Sequence, residues 1–142
     1  MVFYYAYGSN MSEQRMLDRK ITFFSRKFGI LKNYKLVFNK ISKSNNNTSF
    51  ANIVESIGDF VEGIIYEIDD NDIKKLDKFE GHPVHYTRKN VLIDNKSCIV
   101  YIAQDQWIKE GIYPTKEYIN YLLEAKDLLS EEYYNKIKKL LD

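Results

Sequence analysis

Val2 to Tyr7 forms an unbroken apolar and aromatic run that stops at Gly8-Ser9-Asn10, and a helix signal follows at once. Few arrangements suit such a run: it reads as a buried strand ending in a tight loop. Ser12 offers an N-cap, Glu13 puts negative charge in the first turn, and Met16 and Leu17 give an apolar face to a helix of about two turns. The chain therefore opens with a strand, loop and helix, and the rest must supply partners for that first strand.

Those partners are legible downstream. From Phe24 to Phe38 the pattern is strand-like, with Phe28, Ile30, Tyr34, Leu36 and Phe38 interrupted by Gly29 and Asn33, which fits one bent strand or two short ones. Ile41 to Ser49 is a polar, Asn-rich surface loop. Phe50 to Val54 and Phe60 to Ile68 read as two strands joined by a turn at Ser56-Ile57-Gly58-Asp59, with Gly63 marking a bulge or a close backbone approach. Asp69 or Asp70 can then cap a helix whose Ile73, Leu76 and Phe79 recur at three-residue spacing down to Gly81. Tyr86 to Ile93 and Ser97 to Ala103 form a hairpin across Asp94-Asn95-Lys96. Thr115 and Ser130 cap two closing helices, the first with Tyr118, Ile119, Leu122, Ala125 and Leu129 on one face. Five to seven mostly antiparallel strands with a few helices make an α+β or small-barrel architecture.

Length and charge narrow the function classes. At 142 residues the chain is expected to be a single domain, residues 1 to 142, large enough to fold without staples. With 21 basic against 20 acidic residues, no nucleic-acid partner is expected. Cys98 is the single cysteine, so no intrachain disulfide can form, and one cysteine with two histidines falls short of a structural zinc site. A reducing cytoplasm is the expected setting. No apolar run reaches the roughly 18 residues of a membrane span, so no membrane partner is expected. The 12 tyrosines and 8 phenylalanines suit half-buried strands or a polar-tipped pocket equally well.

Two places could carry chemistry. In Tyr7-Gly8-Ser9-Asn10-Met11, Gly8 lets the backbone turn with positive φ or approach a ligand closely, and successive N–H groups beside a helix N-terminus can face an anion or a developing oxyanion. Ser9 and Asn10 add side-chain donors; the same residues would also serve an ordinary turn feeding an N-cap. Glu80 is the second place. It stands at the negative end of its helix dipole, and that dipole, with partial burial among Phe79 and Tyr86, would raise its pKa toward what a general acid or base needs. A solvated surface glutamate would occupy the same position. His82 and His85 flank Pro83 and do not share a helical face, so no metal is expected. Cys98, among Ile99 and Val100, reads as a small core residue.

Taken together, the two places carry a resemblance. Phe3-Tyr4-Tyr5-Ala6-Tyr7-Gly8-Ser9-Asn10-Met11 resembles the N-terminal signature of the γ-glutamylcyclotransferase family, and Leu76-Asp77-Lys78-Phe79-Glu80-Gly81 resembles its second motif. Weaker agreement runs through Ala51 to Val54, Gly63 to Tyr66, Tyr86, Tyr101, and Pro114 with Tyr118. The resemblance implies a small twisted, mostly antiparallel β-barrel with flanking helices. It implies an intramolecular aminolysis in which the α-amine of a γ-glutamyl amino acid attacks its own γ-carbonyl, giving 5-oxoproline and a free amino acid, with no cofactor. Glu80 would be the general acid/base. Tyr7, Gly8, Ser9 and Asn10 would hold the γ-glutamyl group, with Tyr86 and Tyr101 as pocket walls. The leaving-group walls are expected from the Asn-rich loop and the stretch His82 to Tyr86. The same chemistry on γ-glutamylamines or another γ-glutamyl amide, and a non-catalytic module that binds γ-glutamyl metabolites, are the alternatives. A homodimer is open as a family property, and no apolar stripe in the sequence assigns one.

Overall fold

A computed structural model describes all residues, 1–142, and joins five strands in one mixed sheet of order β2-β3-β1-β5-β4. The strands are β1 Val2–Ala6, β2 Phe23–Ile41, β3 Ser49–Ile68, β4 Tyr86–Ile93 and β5 Lys96–Ala103. Four helices flank them: α1 Glu13–Asp18, α2 Ile73–Glu80, α3 Lys116–Leu123 and α4 Glu131–Lys138. The α+β class is as expected. Every neighbouring pair is antiparallel except β1 with β5, which run parallel through Phe3 with Cys98 and Tyr4 with Ile99. No ladder joins β2 to β4, so the sheet is open where a barrel would close. Side chains meet across that gap: Lys89 donates to the Tyr34 hydroxyl at 3.0 Å, and Gly29 faces Ile93.

The expected pair of strands at Phe50–Val54 and Phe60–Ile68 is one strand. Pairing with β2 passes from Lys32 with Phe60 directly to Tyr34 with Glu55, leaving Ser56 to Asp59 as a protrusion. Asn33 takes φ 66° and accepts the Gly58 N–H on its side-chain oxygen at 3.2 Å. Gly58 itself has φ 89°, and Ile57 at the tip is 97% exposed. The turn signals are real, yet β2 kinks with them, so the ladder resumes on the far side instead of ending. The later hairpin turns on two residues, not three. Asp94 and Asn95 have φ 52° and 64°, the left-handed pair that a tight hairpin needs, and Lys96 is already paired with Ile93.

Much of the tyrosine content is core. Tyr5 and Tyr66 are fully buried, and their tips are satisfied by backbone: Tyr5 reaches the Gly29 and Val61 carbonyls at 2.9 and 3.0 Å, and Tyr66 donates to the Asn10 carbonyl at 2.8 Å. Cys98 is buried, and burial pushes its thiol up to about 11, which removes it as a nucleophile at neutral pH. Gly63 marks a close approach, because a Cβ there would lie 2.6 Å from the Ala6 carbonyl oxygen. That contact seats β1 tightly on β3 just before the chain enters the Gly8 loop.

α2 is built as its pattern requires at its start and not at its end. Asp69 caps the preceding turn by accepting the Asn71 N–H at 2.9 Å, and Ile73 and Leu76 are buried. Phe79, expected on the same face, is 49% exposed. Gly81, at φ 66°, ends the helix in the left-handed conformation, with its N–H and that of His82 satisfying the last carbonyls. Glu80 is thereby fixed at a rigid helix end. α3 and α4 start at Thr115 and Ser130, whose hydroxyls accept from Tyr118 N and Tyr133 N.

Candidate active site

A cavity of about 260 Å³ opens where the loop after β1 meets the end of α2. Tyr7, Gly8, Ser9, Asn10, Glu80, Tyr86 and Tyr101, all singled out from sequence, line it together. Their detailed roles differ from the expectation in several respects. Gly8 has φ −118°, so no left-handed turn is involved. The site is crowded instead, since a Cβ would meet the Tyr118 hydroxyl at 3.0 Å and the Ala51 methyl at 3.1 Å. Tyr118 accepts the Ala51 N–H at 3.0 Å and also faces the Ser9 backbone, so it buttresses the loop from behind.

Ser9 and Asn10 are tied to α1. Arg15 Nε donates to Ser9 Oγ at 3.1 Å, leaving the hydroxyl proton of Ser9 for another acceptor. Arg19 donates to Asn10 Oδ1 at 2.9 Å. The Asn10 amide nitrogen points to the Tyr4 hydroxyl at 3.0 Å and reaches Glu80 Oε1 at 3.5 Å. Asn10 thus links Arg19 to Glu80, a connecting part that its reading as a simple donor did not contain. Each guanidinium also lies over a ring, Arg15 on Tyr121 at 4.3 Å and Arg19 on Phe79 at 4.7 Å. The outward turn of Phe79 therefore serves Arg19, not the core.

The aromatic walls have committed hydroxyls. Tyr7 donates to the Tyr101 carbonyl at 2.6 Å, Tyr86 to the Ala51 carbonyl at 2.8 Å, and Tyr101 to Asp77 Oδ1 at 2.7 Å. Burial holds the phenol pKa of all three well above the ordinary tyrosine range. They shape the cavity and exclude water, and none is placed to shuttle protons near neutral pH.

Glu80 is the one carboxylate among the lining residues, against Arg15, Arg19, Lys40, Lys43 and Lys78. Burial raises its pKa above the usual carboxylate range, and Arg19, Arg15 and Lys40, in that order, pull it back down. A carboxyl lifted by burial and still ionisable beside cations suits a group that must take a proton and return it. Removing the largest restraining charge should lift it further. In Arg19→Met the Glu80 carboxyl is expected to titrate at higher pH than in the parent protein, followed by carbon NMR of its labelled carboxyl. An unchanged or lower midpoint would contradict this electrostatic account.

Reading along the chain missed Tyr4, Arg15, Arg19, Lys40 and Tyr118 as wall residues. Arg15 and Arg19 carried a usable signal: four residues apart on a helix capped directly after the loop, they had to share a face. His82 and His85 point to different partners. His82 Nδ1 accepts the Arg88 N–H at 3.3 Å, whereas His85 Nδ1 contacts Lys40 Nζ at 2.9 Å.

The family model described as gamma-glutamyl cyclotransferase, AIG2-like, matches residues 4–120. No curated protein matches the chain by sequence. A solved structure titled gamma-glutamyl cyclotransferase is 26% identical with a TM-score of 0.82, covering 96% of this chain and 86% of that one. An uncharacterized protein from Homo sapiens is 27% identical with the same TM-score and the same coverage. YkqA from Bacillus subtilis is 24% identical with a TM-score of 0.84 over 99% of this chain and 54% of its own, a likeness of fold.

Proposed function

The chain belongs to the gamma-glutamyl cyclotransferase, AIG2-like family, and from that premise we propose that it converts γ-glutamyl amino acids to 5-oxoproline and a free amino acid. The observation that carries this reading is Glu80: one carboxyl, lifted by burial, facing a cation-lined cavity and 3.5 Å from the Asn10 amide of the Gly8 loop. Glu80 accepts a proton from the substrate's α-ammonium, and the freed amine attacks the γ-carbonyl carbon. A carbon–nitrogen bond forms to close the five-membered ring, the original amide bond breaks, and Glu80 returns the proton to the departing nitrogen.

The remaining residues supply geometry. An α-ammonium at Glu80 carries its α-carboxylate on the same carbon, next to Arg19 and Arg15, the two cations that act most strongly on Glu80. The Tyr7 to Asn10 loop then lies along the γ-glutamyl chain, with backbone N–H groups and the free Ser9 proton available to the carbonyl oxygen as it gains charge. Holding a near-attack geometry can supply roughly 7 to 11 kcal/mol, and one oxyanion donor about 3 kcal/mol. No separate nucleophile is needed, because the substrate contains it.

The test is release of 5-oxoproline from γ-glutamyl-alanine, γ-glutamyl-ε-lysine and glutathione. Release from the first supports the reading as stated. Release only from another member keeps the reaction and moves the substrate, while binding without release from any would make the protein a module that senses γ-glutamyl compounds.

A further inference from the structure

One buried ammonium in the cavity makes no direct ion pair. Lys40, near the end of β2, is 3% exposed, and none of the protein's ion pairs includes it. Its Nζ donates to the Ile41 carbonyl at 2.8 Å and to His85 Nδ1 at 2.9 Å, which leaves one of three protons without an acceptor. The rings of Trp107, Tyr86 and Phe50 stand 5.4, 5.5 and 5.7 Å from it, enough to favour a cation without neutralising it. A buried charge left unpaired is unfavourable, so such a charge in a cavity wall calls for an anion that arrives with the ligand.

The surroundings are built to hold Lys40 in that position. The β2–β3 register shifts between Val37 and Lys40, and the irregularity buries both Asn39 and Lys40, where a regular strand would turn one of them outward. His85 is stacked on Trp107 at 4.0 Å, and burial followed by the Lys40 charge lowers its pKa, so the ring stays neutral and accepts from Lys40 through Nδ1. Lys43, with Ser42 and Ser44, lines the same end of the cavity. Burial and the neighbouring Lys43 lower the Lys40 pKa to about 8, against the pull of Glu80, so the ammonium is still the main form at pH 7.

Four of the five lining cations thus form two pairs. Arg15 and Arg19 are bonded to Ser9 and Asn10 of the Gly8 loop, where the proposed reaction puts the α-carboxylate of the γ-glutamyl group, while Lys43 acts on Lys40 from the loop after β2. We infer that Lys40, positioned by His85, binds the carboxylate of the leaving amino acid, and so selects γ-glutamyl α-amino acids over γ-glutamylamines. This assignment rests on the cyclotransferase reading, and it names the residue that sets the substrate class.

The comparison of γ-glutamyl-alanine with γ-glutamyl-ethylamide isolates that carboxylate, because the two differ by nothing else and share the amine that reacts. The ratio of their kcat/KM values in the parent protein is expected to be on the order of tenfold to a hundredfold in favour of γ-glutamyl-alanine, the range of a buried charge-assisted contact. In Lys40→Met the ratio should fall to near one, and Lys40→Arg, which keeps the charge, should retain most of it and serves alone if Lys40→Met does not fold. A parent ratio near one overturns the inference and leaves the cyclotransferase reading in place. Equal slowing of both substrates in Lys40→Met, with the ratio preserved, also overturns it by making Lys40 structural. No 5-oxoproline from either of these substrates overturns this inference, and silence of γ-glutamyl-ε-lysine and glutathione as well removes the underlying reading with it.

Discussion

Glu80→Gln is expected to lower kcat/KM for γ-glutamyl-alanine by a factor of about 100 to 10,000 without lowering the melting temperature. The first part follows from the role: glutamine keeps the shape and the Asn10 contact region but can neither take the proton from the α-ammonium nor return it to the leaving nitrogen. The second part follows from the sign of the pKa shift. A carboxyl whose pKa is raised in the folded state favours folding while it is protonated, and that contribution is lost as the pH rises through the raised value. At neutral pH the ionised Glu80 is therefore held against a stability gradient, and a neutral amide removes the strain. Turnover measured beside a thermal melt checks both. Retained turnover would remove Glu80 from the mechanism, and a much lower melting temperature would show that its burial had been misjudged.

The largest effect on stability is expected at Gly63→Ala, at about 3 kcal/mol, the upper part of the range for overpacking a tight site. The new Cβ would lie 2.6 Å from the Ala6 carbonyl oxygen and 2.7 Å from the tip of the Tyr5 ring. Neither can give way easily. Ala6 is held in the β1–β3 ladder opposite Ile64, and Tyr5 is fully buried with its hydroxyl bound to two carbonyls. Gly58→Ala provides the contrast, since its φ is 89° but nothing lies within reach of a Cβ, and about 1 kcal/mol is expected there. Urea midpoints at unchanged m-value report both. A Gly63→Ala protein within 1 kcal/mol of the parent, taken as roughly the Gly58 cost, would mean that the β1–β3 contact is looser than described.

The parts of this molecule legible from sequence are those set by local chemistry. Ser12, Thr115 and Ser130 cap their helices because each places a hydroxyl before an apolar face, and Gly81 ends α2 because a left-handed residue is needed there. Glu80 was legible for the same reason, as a carboxylate at the wrong end of a helix. Strand boundaries were less so: Ser56 to Asp59 has turn chemistry, but only the kink of β2 at Asn33 decides that β3 continues past it. Lys40 was the least legible. In the run Phe38-Asn39-Lys40-Ile41 nothing marks the lysine as buried, because its inward direction depends on a register shift that appears only when β2 pairs with Phe50 to Asn52 of β3. Phe79 failed for a related reason, since its ring is held by Arg19 from another helix instead of by its own periodic face.

In the proposed reaction the substrate's own amine, not water, breaks the γ-glutamyl bond. Running the reaction of γ-glutamyl-alanine in water enriched in heavy oxygen and weighing the product by mass spectrometry tests it most directly. The expected product is 5-oxoproline with no heavy oxygen incorporated, alongside alanine. Glutamate carrying a heavy oxygen in its side-chain carboxylate as the first product would make the protein a hydrolase and contradict the cyclisation.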